Sequence, residues 1–177
     1  MSQQRVSIAV IKGDGIGIDV TDATLAVVAA VQEKTGGFAL DYHNIQAGAG
    51  YFEKTGVDIE PGGEAVAGEH DAIFLGAIGL PAIRHKDGTE ISLHLRLRDR
   101  YQLYAGVRPV RAYPNAPQTL ADPRSVDIDL IILRESTEGL FYSAAVHGRS
   151  EVIDNEEVRD VMRITRSTTE KLHNFAN

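Results

Sequence analysis

Apolar residues in this chain alternate between short unbroken runs and longer stretches with helical spacing. Val6 to Ile11 is a short run that ends in the turn Lys12-Gly13-Asp14-Gly15-Ile16-Gly17, which predicts a buried strand entering a loop. Ile16 to Lys34 carries Val20, Leu25, Val27, Val28 and Val31 and stops at Gly36-Gly37, the pattern of a helix with a glycine C-terminus. Phe38 to Ile45 alternates as a strand. Short helical pieces are expected over Gly50 to Glu69, broken at Pro61-Gly62. Asp71 to Ile78 reads as a second buried strand, ending at Gly79-Leu80-Pro81.

The second half continues the alternation. Glu90 to Gln102 is helical, with Leu93, Leu97 and Tyr101 on one stripe. Tyr104 to Tyr113 is extended. Asp127 to Leu133 is almost uninterruptedly apolar, the signature of a strand buried on both faces. Phe141 to Ile153 is expected to form a hairpin around His147-Gly148. Asp154 to Ala176 is expected to be helical, with Asp154 and Glu157 as a capping box. Strands alternating with helices predict an α/β fold, a mostly parallel sheet flanked by helices. The segment Pro114 to Pro123 is the candidate linker. The last helix keeps its apolar spacing through Leu172, Phe175 and Ala176 with no stop signal, so the chain is expected to be cut short.

Composition narrows the classes. The 177 residues are 43% hydrophobic and 24% charged, with a formal net charge of -7. That balance is globular rather than disordered. A sequence pI near 5.3 argues against general nucleic-acid binding, which needs a basic face. Cysteine is absent, which excludes disulfides and thiolate metal sites. The start has no secretory pattern, and no apolar run approaches the ~20 residues that span a bilayer. A soluble cytoplasmic protein, with no membrane and no nucleic-acid partner, is the expectation.

The candidate chemistry is cationic. Against the acidic background, arginines recur at 96, 98, 100, 108 and 111, and Arg134 follows the apolar run. A guanidinium presents a rigid fork of donors that matches a carboxylate or phosphate. Arg98, Arg108 and Arg134 lie where elements end, so they are candidates to hold a small polyanion. Glu135, Glu138 and Asp99 are the alternative partners for them. His94 lies one helical turn from Arg98 and reads either as a further contact to the same anion or as a surface histidine. Gly13-Asp14-Gly15-Ile16-Gly17 and Gly76-Ala77-Ile78-Gly79 each end a strand, and ligands of open α/β sheets collect outside those ends. Both also read as plain turn chemistry.

Taken together, the pieces IAVIKGDGIGIDV, FLGAIGLP, SLHLRLRDRYQLYAGVRPVR and ILRESTEGLFYS, in this order, resemble the β-decarboxylating dehydrogenases acting on isocitrate, 3-isopropylmalate, homoisocitrate and tartrate or D-malate. The resemblance implies a truncated isopropylmalate-dehydrogenase-like fold. Residues 1–103 would begin the larger α/β domain and 104–177 the smaller, both incomplete. It implies oxidation, typically with decarboxylation, of a 2-hydroxy dicarboxylic acid with NAD or NADP and Mg2+ or Mn2+. Arg98, Arg108 and Arg134 would bind the substrate, with Ser92 and His94 reading its variable arm. Gly13, Asp14, Gly15 and Ile16, with Gly76, Ala77, Ile78 and Gly79, would border the cofactor.

In that family a tyrosine stands seven residues after the arginine of the RE motif, where this chain has Phe141. Tyr142 is then the candidate for proton transfer. The metal ligands, a lysine and the adenosine loop would lie in a C-terminal half, so this chain alone is expected to be inactive. The intact protein is expected to be a homodimer. The alternative is a non-catalytic anion-binding or regulatory subunit.

Overall fold

The computed structural model describes residues 4–143 and 151–176, and the chain divides into two compact units, Met1–His94 and Leu95–Asn177. In the first, β1 (Gln4–Ile11) is central to a three-stranded parallel sheet, ordered β2-β1-β3, with β2 (Phe38–Asn44) and β3 (Ala72–Leu75) at its sides. Pairing on both edges leaves Ala9, Val10 and Ile11 fully buried. Helix α1 (Ile16–Thr35) makes the crossover from β1 to β2. It ends where Gly36, at φ 62°, leaves the helical region, as the glycine pair predicts. Leu25 and Val28 line an apolar cavity against Ile8, Tyr42 and Phe74, whereas Val20, Val27 and Val31 are exposed. The helix is apolar nearly all round, but only one face is covered among the described residues. Short helices α2 (Ala49–Thr55) and α3 (Gly63–Gly68) occupy the segment expected to hold helical pieces, split at Pro61-Gly62.

One buried carboxylate ties the strand ends together. Asp14 is 6% exposed and accepts hydrogen bonds from the amides of Ala49 (2.7 Å), Gly50 (2.8 Å) and Gly79 (2.8 Å). Its own amide donates to the carbonyl of Ala77 at 2.7 Å. Three loops, one after each strand, therefore converge on a single side chain. The approach requires glycine: a Cβ on Gly13 would lie 2.0 Å from the Ala77 carbonyl oxygen, and one on Gly76 would lie 2.1 Å from that of Lys12.

The second unit follows α4 (Leu93–Arg100), which the unit boundary crosses. Leu93 and Leu97 are buried, as the stripe predicts. Strands β4 (Ala105–Arg111) and β5 (Asp129–Glu135) pair antiparallel, with a 3-10 turn (Pro123–Asp127) before β5. The expectation of a strand buried on both faces fails. Among the described residues β5 pairs only with β4, and Ile131 and Ile132 are 62% and 51% exposed.

The long helix from Asp154 also fails. Strand β6 (Glu151–Val152) and strand β7 (Val158–Arg159) form a small antiparallel pair, and α5 (Arg166–Ala176) begins only after Thr165. The Asp154 carboxylate accepts from the amides of Glu156 (2.8 Å) and Glu157 (2.9 Å). A turn satisfies the aspartate as well as a helix start would, which is why the capping pattern misled. The turn expected at His147-Gly148 lies outside the described residues.

Replacing Asp14 with alanine would leave three backbone donors without their acceptor. The expected cost is about 2–4 kcal/mol, since hydrogen bonds to a charged group are worth more than neutral ones. Chemical denaturation of the full-length protein reads it directly, and an unchanged midpoint would show that the loops do not depend on this carboxylate.

Candidate functional site

The first unit places both glycine-bearing loops at the carboxyl ends of parallel strands. Asp14 has its side chain turned inward and consumed by three amides, so it arranges the loops rather than facing solvent. Gly13 (φ 75°) and Gly79 (φ 105°) hold conformations that suit glycine, and Gly13 lies against the Ala77 backbone. Gly15 (φ 52°) begins α1 with no side-chain hydrogen bond to cap it. The first-turn amides are met by the turn itself, Gly17 donating to the Asp14 carbonyl at 2.9 Å and Ile18 to that of Gly15 at 3.1 Å. Ile78 and Gly79 line a small hollow of about 120 Å3 with Leu80 and Ile91. Lys12, Gly13, Asn44 and Gln46 line another of about 330 Å3 at the ends of β1 and β2. Ser92 and His94 are half-buried near the end of this unit.

The second unit brings the three arginines together. In the β4–β5 register Gly106 stands opposite Arg134 and Arg108 opposite Ile132, so Arg108 and Arg134 are diagonal neighbours on one face. Gly106 makes that possible, since a Cβ there would sit 2.8 Å from the Ser136 hydroxyl. Arg98 comes from α4. Burial first, and then the positive charges of Arg134 and Arg108, hold its pKa below the ordinary arginine value. Guanidinium does not lose its proton in proteins, so Arg98 stays charged beside two like charges.

The alternative carboxylate partners are occupied elsewhere. Glu135 accepts from the amide (2.7 Å) and hydroxyl (2.5 Å) of Thr137 and from the amide of Glu138 (2.6 Å). Glu138 accepts from the amide and hydroxyl of Thr165 (2.7 and 2.8 Å) and from the hydroxyl of Thr168 (3.0 Å), and so caps α5. Among the described residues Arg98, Arg108 and Arg134 form no ion pair, and Nε of Arg134 is buried without a hydrogen-bond partner.

The residue facing this cluster is Phe141. Its ring centroid lies 5.7 Å from the Arg98 guanidinium carbon and 5.5 Å from that of Arg134. Tyr142 instead holds the Arg163 guanidinium, 4.9 Å from its own ring. The two adjacent aromatics are thus divided between different cations. Beside the cluster an open cavity of about 610 Å3 is lined by Leu133, Leu140, Phe141 and Leu172, with Arg134, Glu135 and Glu138 on its wall. Sequence reasoning missed Phe141 as an arginine platform and Glu138 as a cap. The seven-residue spacing from Arg134 to Phe141 was the available signal for the first. The second depends on Thr165, 27 residues away, and had none.

The fold and these features define an α/β protein with glycine-bearing loops at the ends of its parallel strands and three neighbouring arginines beside an apolar cavity. The chain belongs to the isocitrate/isopropylmalate dehydrogenase family, whose model matches residues 7–177. It is 40% identical over 139 residues to 3-isopropylmalate dehydrogenase of Thermobifida fusca, covering 78% of this chain and 39% of that one. It is 34% identical over 136 residues to a probable tartrate dehydrogenase/decarboxylase of Agrobacterium vitis, covering 77% and 38%. The crystal structure of isocitrate dehydrogenase from Methylococcus capsulatus matches with a TM-score of 0.75 at 25% identity, covering 97% of this chain and 46% of that one. The chain therefore spans half or less of the length of these relatives. Among the described residues no helix is long and apolar enough to cross a membrane.

Glu138 yields a pH prediction. Partial burial works to raise its pKa, but hydrogen bonds from Thr165 and Thr168 and the charge of Arg163 carry the net shift below the ordinary value. A depressed folded-state pKa adds stability above the unfolded value, about 4.3, and loses it as pH falls through the folded one. Glu138→Gln should flatten the acid limb of the stability–pH curve below about pH 4.3. An unchanged acid limb in thermal melts would show that this cap carries no pH dependence.

Proposed function

We propose that the protein contributes the substrate arginines and the cofactor-facing loops of an NAD(P)- and divalent-metal-dependent dehydrogenase acting on a 2-hydroxy dicarboxylic acid, with decarboxylation. The observation that carries the reading is the trio of guanidinium groups gathered in one unit with no carboxylate partner. Uncompensated charges held that close together are costly unless an anion completes the site. Arg98, Arg108 and Arg134 hold the substrate's carboxylates, and the apolar wall by Leu133 and Phe141 excludes water from them. Ser92 and His94 read the variable arm.

The Gly13–Ile16 turn and the Gly76–Gly79 loop receive the dinucleotide, whose nicotinamide supplies hydride acceptance when bound. Among the described residues no group of three or more His, Cys, Asp or Glu side chains is placed to hold a metal ion, so the proposal assigns the metal to none of them. The working protein is proposed to be cytoplasmic and a homodimer.

A second reading, a non-catalytic anion-binding subunit, is favoured by Phe141. The aromatic beside the arginines carries no hydroxyl, and Tyr142 lies against Arg163. The full-length protein, assayed with NAD or NADP and Mg2+ over isopropylmalate, isocitrate, malate and tartrate, separates the two. Turnover of one of these acids supports the enzyme. Binding without turnover supports the subunit. Arg98→Ala, Arg108→Ala and Arg134→Ala should each weaken the preferred acid about 10–100-fold, the worth of one charge-assisted contact. Unaltered affinity in all three variants would remove the arginines from the site.

A further inference from the structure

The first unit carries a pair of histidines that the dehydrogenase reading does not use. His43 lies on β2 and is exposed, and His70 follows α3 and is half-buried. Their ring centroids are 5.2 Å apart with the planes tilted by 40°. We propose that His43 and His70 form a two-imidazole site for a borderline divalent cation, Zn2+ or Ni2+.

Three features support it. The spacing fits a shared cation. An imidazole nitrogen binds zinc at about 2.0–2.1 Å, which puts the ring centroid roughly 3.2 Å from the metal, so two rings at a tetrahedral angle stand about 5.2 Å apart. The tautomer is also set. Nδ1 of His70 lies 2.8 Å from the Val66 carbonyl oxygen, and a carbonyl only accepts, so Nδ1 carries a proton and Nε2 is the nitrogen left to bind a metal. A backbone carbonyl on the far nitrogen is the usual support of a metal-bound histidine.

The surrounding charge suits a cation as well. Asp41 is two residues from His43 on the same face of β2, and Asp71 adjoins His70, held by the amide and hydroxyl of Ser7 at 2.8 Å. Arg5 offsets part of this through its ion pair with Asp41 at 2.6 Å. No third side chain completes a ligand cluster among the described residues, so water takes the remaining positions and exchangeable binding is expected. Imidazole selects zinc, nickel and copper, whereas Mg2+ takes oxygen ligands, so this site is distinct in chemistry from that of the cofactor metal.

The test is titration of Zn2+ into the full-length protein in excess Mg2+, followed by calorimetry and by the histidine ring nitrogens in 1H–15N NMR. One equivalent should bind, shifting Nε2 of His70 and a ring nitrogen of His43 while Nδ1 of His70 stays protonated. His43→Gln and His70→Gln should each weaken binding at least tenfold, and His173→Gln should not. Zn2+ saturation without shifts at His43 and His70 would overturn the proposal, as would undiminished affinity in either variant. The wild-type spectrum decides even if a variant folds poorly. The outcome is independent of turnover.

Discussion

The carboxylate of Asp14 is the interaction on which the first unit depends. A parallel sheet needs long crossovers, and each crossover leaves a loop at the carboxyl end of a strand with backbone amides to satisfy. Here one side chain accepts from amides in two of these loops and belongs to the third. The glycines at 13, 48 and 76 follow from that convergence. A Cβ on Gly48 would sit 2.6 Å from the Asp14 oxygens, so the loop after β2 reaches the carboxylate only without a side chain. The three strand-end loops are therefore fixed to one another through a single side chain at the start of α1.

The second unit is governed by the opposite problem, charge of one sign gathered in one place. Glu135 and Glu138 are turned to local backbone amides and to the start of α5 rather than to Arg98, Arg108 or Arg134. Phe141 offers its ring to two guanidinium groups, an attraction worth about 0.5–2 kcal/mol per contact and too weak to neutralise either. The unit leaves Arg98, Arg108 and Arg134 without a carboxylate partner among the described residues. It also exposes both faces of the β4–β5 ribbon, with Ile131 on one and Ile132 on the other.

Much of the first unit was legible because its signals are local. The glycine pair at 36 and 37 and the apolar run of β1 fall where the pattern puts them, whereas the run from Asp71 to Ile78 yields only the four-residue β3, with Ala72 and Leu75 exposed. The arginine trio was legible as candidates, but its lack of internal partners was not, since that rests on where Glu135 and Glu138 turn. The misread parts share one cause. An apolar run such as Asp127 to Leu133 says that burial is sought, not that it is achieved, and among the described residues β5 finds only β4. The Asp154 pattern serves a turn and a helix start equally, and only the pairing of Val152 with Val158 decides for the turn. Phe141 was read as a lost hydroxyl, whereas its ring is a platform for two cations.

The account stands most directly on the claim that the arginine cluster awaits an anion. The Nε–H resonances of Arg98, Arg108 and Arg134 in the full-length protein, followed while a 2-hydroxy dicarboxylate is added, test it without requiring turnover. The account predicts saturable shifts at these three sites, with the Arg134 Nε–H gaining the hydrogen bond it lacks. A dicarboxylate that binds and shifts other arginines while leaving these unchanged would contradict it.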